Sequence, residues 1–322
     1  MNVPFYKMQI AGNGFVLVDL AALTGKGMSG KGLSDTARPA EAAGAKPDEG
    51  DRTIDPATYP TLARLLCDRR YGIGASGIIF LSADNSVRVL GPKGRLAETA
   101  DDAVLCAARF VFDSGRAAAR SITFRTNRGD RTVDILGAHE FRIALGSPFS
   151  ILGGAVITPD AKRVVESLEI GGANLSCSAI HVREDVVTAF PRALGTLDFS
   201  GFSGLARRAF PARDVIPSVA QAITRETILV RSLPRQESGA SAVACAALAT
   251  AVCSGQTETD AIVIFESAGT DGNPDEEIGR DRDNSRRLAA SWDVRANEMY
   301  VTGSGGYLFE GTFDAPDMPG AD

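Results

Sequence analysis

Few residues in this chain could do acid–base or nucleophilic work. Two histidines, His139 and His181, and five cysteines, Cys67, Cys106, Cys177, Cys245 and Cys253, are spread over 322 residues. The cysteines are odd in number, none are spaced CxxC, and their neighbours are largely apolar. That pattern reads as reduced, packed thiols, with neither a disulfide framework nor a zinc site. Two histidines leave few ways to build a Ser–His or Cys–His pair, and His181, inside Ile180-His181-Val182, reads as a satisfied structural histidine. No metal and no other cofactor is expected. What remains is a pair of helix starts, one before the apolar run Ala103–Ser114 and one at Gly239-Ala240-Ser241 before Ala242–Val252. Unpaired N–H groups and the helix dipole attract anions, so two such starts facing each other could hold a small carboxylate. Asn13, in Gly12-Asn13-Gly14, and Asn174, in Gly172-Ala173-Asn174, are either contacts to such a ligand or turn formers.

The elements that would carry these starts repeat. A strand-like segment from Phe5 to Leu20 is interrupted at Gly12-Asn13-Gly14, where Asn-Gly signals a turn. A helix is expected over Pro56–Arg70, with Leu62, Leu65 and Leu66 on one side, then a strand at Ile78–Leu81. Gly72-Ile73-Gly74 follows that helix and precedes the strand, the reverse of a dinucleotide fingerprint, so nucleotide binding is excluded. Further strands follow the Ala103–Ser114 helix, and Gly146-Ser147-Pro148 then breaks the pattern. Residues 149–304 repeat the order of 1–148, and 305–322 are expected to return to the first half. Two polar stretches, 24–55 and 270–286, read as solvated insertions. The net charge of −6 excludes an electrostatic footprint for nucleic acid. The absence of long apolar stretches argues against membrane spans, and Met1-Asn2-Val3-Pro4-Phe5 is unlike a signal peptide. A cytoplasmic protein is expected, with room for a homodimer.

Specific motifs then carry a resemblance. Phe5-Tyr6-Lys7-Met8-Gln9-Ile10-Ala11-Gly12-Asn13-Gly14-Phe15 resembles the opening F-x-K-M-H-G-x-G-N-D-F of diaminopimelate epimerases. Cys67-Asp68-Arg69-Arg70-Tyr71-Gly72-Ile73-Gly74-Ala75-Ser76-Gly77 is similar to that family's C-D-R-x-x-G-I-G-A-D-G, Ala108-Arg109-Phe110-Val111 to its A-R-F-V, and Tyr300-Val301-Thr302-Gly303 to its Y-M-T-G. The resemblance spans nearly the whole chain outside the two insertions. It implies an α/β (α+β) fold of two pseudo-symmetric domains. Each would be a curled sheet or barrel around a central helix, with a ligand cleft between the two. In that family one cysteine per domain faces the substrate α-carbon, so that one thiolate takes the proton and the opposite thiol returns one to the other face.

The departures from the family pattern fall on the chemistry. The catalytic cysteine of C-G-N-G-x-R-C-x-A-R-F-V falls on Ala100, while the second, non-catalytic one is matched by Cys106. In E-T-x-A-C-G-T-G-A-C the catalytic position is Ala240 and the trailing cysteine is Cys245. Asp101 and Asp102 replace a neutral Gly-Asn, where they would cap the helix and repel a substrate carboxylate. Of the ligand shell, Asn13, Asn174, Arg235, Ser238, Gly239 and Ser241 are the candidates to hold an anion, while Pro234 stands where the family has a glutamate. Three readings follow. The chain is an inactive relative kept for ligand binding, regulation or scaffolding. Alternatively, it is an isomerase of another small carboxylate or amino-acid-like ligand, with a non-cysteine base such as Asp101. The third is a diaminopimelate epimerase, which would need Cys106 and Cys245 to face each other across the cleft.

Overall fold

A computed structural model describes residues 2–23, 54–98, 100–161, 164–170, 173–191, 194–232, 239–266 and 286–314. Nearly all of the 24–55 insertion and 270–285 lie outside the described residues, as do Arg235 and Ser238. The chain runs β1 (Asn2–Ile10), β2 (Asn13–Asp19), α1 (Leu20–Leu23), a 3-10 turn, α2 (Tyr59–Cys67), β3 (Gly77–Leu81), β4 (Val87–Leu90) and α3 (Asp101–Asp113). Then come β5 (Ser121–Thr126), β6 (Gly129–Gly137), β7 (Glu140–Gly146), β8 (Phe149–Ser150), β9 (Ala155–Val156), β10 (Glu166–Ile170), β11 (Ala173–Val182) and β12 (Glu184–Ala189). The remainder is α4 (Phe199–Ala209), β13 (Ile216–Thr224), β14 (Thr227–Ser232), α5 (Ala240–Cys253), β15 (Asp260–Phe265), β16 (Arg287–Asp293), β17 (Glu298–Gly303) and β18 (Gly306–Asp314).

The result is a sheet-dominated α+β protein with few helices. One sheet has the order β18-β1-β2-β3-β4, so the last strand lies antiparallel on the first. The other holds 13 strands, in the order β5-β6-β7-β17-β16-β15-β14-β13-β12-β11-β8-β9 with β10 on β11. Neither ladder closes among the described residues, so of the expected curled sheet or barrel it is open sheets that flank the helices. Instead β17 and β18 part into different sheets across the short link Ser304-Gly305. That link runs against α3. A Cβ on Gly305 would sit 2.8 Å from the Cα of Cys106, so only glycine lets the backbone pass this close.

Two helices form the centre. Every residue from Ala240 to Ala251 in α5 is buried, and so is every residue of α3 from Asp101 to Ala108. A helix apolar on all sides belongs inside a protein, and its alanines let the surrounding strands approach closely. One continuous apolar core joins α3, α5 and the inner faces of both sheets. The outer faces are covered too: α2 packs on the first sheet and α4 on the second. That is why β3 is buried along its full length instead of alternating.

The first turn differs from its sequence expectation. Ile10 pairs directly with Asn13, leaving Ala11 and Gly12, at φ 47° and 85°, as the two turn residues. Two positive φ values match the twist of a tight hairpin. The turn is thus one pair upstream of Asn13-Gly14, and Asn13 begins β2 with its side chain inward and buried. The expected Pro56–Arg70 helix ends at Cys67, where the Asp68 carboxylate accepts from the N–H groups of Arg70 and Tyr71 and holds a turn. Leu65 stays half exposed.

Candidate functional site

The first turn of α3 and the first turn of α5 meet at the centre of the molecule. Helix α3 starts after Ala100, whose carbonyl accepts the first intrahelical bond from Val104 N–H at 2.7 Å and whose side chain caps nothing. Helix α5 starts after Gly239, which sits at φ 128°, where side chains rarely go, and also lacks a side-chain cap. The first two N–H groups of α5 are nevertheless satisfied, by α3. Asp102 accepts from Ala240 N–H at 3.0 Å and from Ser241 N–H at 3.0 Å, and takes a further, short hydrogen bond from the Ser241 hydroxyl. The Asn13 amide, at the start of β2, donates to the same carboxylate at 2.8 Å. A side chain from one helix thus fills the anion site of the other.

Asp102 is 1% exposed. Burial pushes its carboxyl above the usual carboxylate range, while the donors from Ser241, Asn13 and Ala240 pull in the opposite direction. Asp101 is also buried, but its partners are different. Arg131 of β6 reaches it at 2.7 and 2.8 Å, and Arg183, at the apex between β11 and β12, reaches it at 3.2 Å. Arg131 is itself anchored to the Ala144 carbonyl at 2.5 Å. Both aspartates were expected to cap their own helix. Neither does; they reach outward instead, to the second helix and to two guanidinium groups. The space left between them and Arg183, Glu184, Gly239, Ser241 and Ala242 is only about 10 Å³. That is close to the least that holds one water molecule.

The sequence candidates therefore separate. Asn13, Gly239, Ala240 and Ser241 come together around Asp102, and Ala100 lies beside them at the start of α3. Asn174 lies in β11, where its backbone pairs with Glu169 of β10. The surviving thiols point away. Cys245 Sγ approaches the Tyr300 carbonyl of β17 at 3.8 Å, and Cys106 packs against Gly305. Burial raises both thiols above the usual range, with the nearby aspartates adding to it. These two cysteines do not face each other across a cleft, which the third reading requires. His181 bonds Asp185 Oδ1 at 2.7 Å, next to the Arg213–Asp185 pair, as a structural histidine would.

Two residues of the cluster, Arg131 and Arg183, escaped sequence reasoning. Arg131 had left a signal: it shares a strand face with Val133, which is fully buried, and a cation on an inward face needs an anion opposite. Arg183 left none, because a one-residue strand apex is not legible from propensity.

Solved structures with this fold place the chain in a class. It superposes on the PhzF-family phenazine biosynthesis protein of Bacillus anthracis with a TM-score of 0.60 at 12% identity, covering 98% of this chain and 100% of that one. A methylitaconate-delta-isomerase matches with a TM-score of 0.53 at 7% identity, covering 97% and 91%. A hydroxyproline epimerase from Agrobacterium vitis, solved with bound trans-4-hydroxy-L-proline, matches with 0.51 at 10% identity, covering 97% and 91%. The chain thus has the fold common to these proteins. No protein-family model matches it. In sequence, it is a distant homologue of diaminopimelate epimerases. It is 29% identical to that of Pelotomaculum thermopropionicum over 63% of this chain and 78% of that protein. It is 23% identical to that of Desulforapulum autotrophicum over 97% and 99%.

Proposed function

We propose that the protein is a non-catalytic relative of the cysteine-dependent epimerases, kept for ligand binding, regulation or scaffolding. The reading takes the chain as two halves that meet near Gly146-Ser147-Pro148, with the α3 aspartates reaching from one to the other. One observation carries it. The helix N-terminus that would receive a ligand carboxylate already holds the carboxylate of Asp102, on three donors from α5 itself. A site filled by an internal group at contact distance admits an external anion only by displacing it, and the remaining void of about 10 Å³ admits no amino acid.

The proton-transfer groups point the same way. Inversion at an α-carbon needs an acid and a base on opposite faces, and alanine stands at both positions, 100 and 240. Asp101, the substitute base considered above, is buried and held in ion pairs by Arg131 and Arg183, so it does not stand free toward a ligand. The test is α-proton exchange. Incubation in deuterium oxide with diaminopimelate, and separately with trans-4-hydroxy-L-proline, is expected to leave the α-proton signal unchanged. Exchange with diaminopimelate at a rate typical of enzymes would restore the epimerase reading. Exchange with hydroxyproline alone would favour an isomerase with a carboxylate base.

A further inference from the structure

Next to the closed centre lies an open groove of about 520 Å³, lined by Glu98, Arg128, Leu145, Ser147, His181 and Arg183. Arg183 borders both spaces, since it also lines the small void beside Asp102. We propose that this groove is the protein's ligand site and that it binds a small carboxylate, with Arg183 and Arg128 as the groups that hold it. The inference deepens the non-catalytic reading and rests on it, since an active epimerase would use the helix N-termini instead.

Arg183 is the residue that joins the groove to the centre. It is the single residue between Val182 and Glu184, which pair with each other, and its φ is 65°. A non-glycine residue in the left-handed region persists only where its surroundings fix it, and such residues cluster at sites of function. Among the described residues, its hydrogen bonding is confined to Nε, which donates to Asp101 Oδ2 at 3.2 Å. The guanidinium is therefore held in place by one edge. Its terminal nitrogens remain for a planar anion, and a guanidinium fork matches a carboxylate with two parallel N–H···O bonds. The side chain is 28% exposed, enough to reach a ligand and little enough to be oriented.

Arg128 supplies a second cation on the groove wall. Its guanidinium lies 3.4 Å from Glu98 Oε2, with side chains 58% and 85% exposed. Such a solvated pair is worth little and exchanges readily for a better anion. Leu145, near the end of β7, adds an apolar floor, and Ser147, in the link to β8, adds a hydroxyl. A few placed polar groups in a concave, partly apolar site describe a small-molecule pocket. His181 is already held by Asp185, so it shapes the wall without being needed for binding.

Isothermal titration calorimetry with glutarate at low ionic strength tests this, using the intact chain. Saturable one-to-one binding is expected. Arg128→Ala, at an exposed position, should weaken it by roughly 10-fold or more, the usual loss for a charge-assisted hydrogen bond. Arg183→Lys keeps a cation beside Asp101, so the fold is retained, but it removes the fork and should weaken glutarate by a similar factor. Equal affinity in the wild type and both variants would overturn the inference, as would no saturable heat with wild-type protein. Inorganic phosphate binding more tightly than glutarate would also overturn it, since the groove would then be built for another anion. None of these results bears on proton exchange, which tests the non-catalytic reading separately.

Discussion

Replacing Asp102 with alanine should destabilise the protein by about 3 kcal/mol, and formate should recover much of that loss. Four donors converge on its carboxylate: two backbone N–H groups of α5, the Ser241 hydroxyl and the Asn13 amide. A buried donor left without an acceptor costs about 1–3 kcal/mol. The space freed by the carboxylate, added to a void of about 10 Å³, has room for water that would satisfy about two of the four. Two orphaned donors then remain, at about 2–6 kcal/mol, and relief from burying an ionised group offsets part of that. Asp102→Asn should cost less, about 1 kcal/mol. Its amide oxygen can still accept from α5, while its NH₂ can donate to Asn13 Oδ1, which has no partner among the described residues. Both losses lie within the 5–15 kcal/mol typical of a folded domain, so the variants can be measured. The assay is urea unfolding at neutral pH, with formate against chloride at equal ionic strength. Formate fits the vacated carboxylate position. At a hundred times its dissociation constant, a ligand specific to the native state adds about 2.7 kcal/mol. A loss below about 0.5 kcal/mol in Asp102→Ala would refute the reasoning. So would a formate shift of the same size in the wild type, because its site is already filled.

Restoring both thiols, with Ala100→Cys and Ala240→Cys together, should not produce α-proton exchange with diaminopimelate, because Asp102 still occupies the anion site; robust exchange would show that the cysteines alone are missing. Arg131→Met should lower the unfolding midpoint and cost about 3–5 kcal/mol, since it removes one of the two cations that hold a buried Asp101, whereas Arg125→Met, in an exposed pair with Asp84, should cost less than about 1 kcal/mol. The thiols should titrate late: burial pushes Cys177 up to about 12. A thiol raised in the folded state contributes stability that is complete below its unfolded value of about 8.5 and is lost as pH rises through the folded value. Wild-type protein should therefore lose stability faster than Cys177→Ala between about pH 8.5 and 12, as read by urea midpoints, and a parallel pair of curves would contradict the assignment.

Much of the frame was legible because it rests on local chemistry. The apolar, alanine-rich run at 242–252 has no polar face, so it could only be a buried helix, and α5 is one. The helix expected over Ala103–Ser114 is α3, which runs from Asp101 to Asp113. The errors came where several residues compete for one role. Ala11-Gly12 and Asn13-Gly14 both suit a two-residue turn, and the buried contact from Asn13 to Asp102 decides for the former. The aspartates were legible as helix-start residues but not as partners of α5 and of two arginines. Sequence spacing says that a carboxylate will find donors near a helix start. It does not say whose donors, when 138 residues separate Asp102 from Ala240.

The two aspartates act as a unit because they are neighbours. Successive residues on an α-helix point about 100° apart, so one first turn can serve two sides. Asp102 turns toward the start of α5, and Asp101 turns toward Arg131 and Arg183. The charges then balance by position. Asp102 meets the positive end of a helix and neutral donors, which is what an external carboxylate would have met. Asp101, which has no helix end to face, is matched by two guanidinium groups, one of which also borders the open groove. Among the described residues, Arg183 gives only its Nε to Asp101 and also lines the groove, so the ligand preference proposed for the groove follows from the edge of that cation left over.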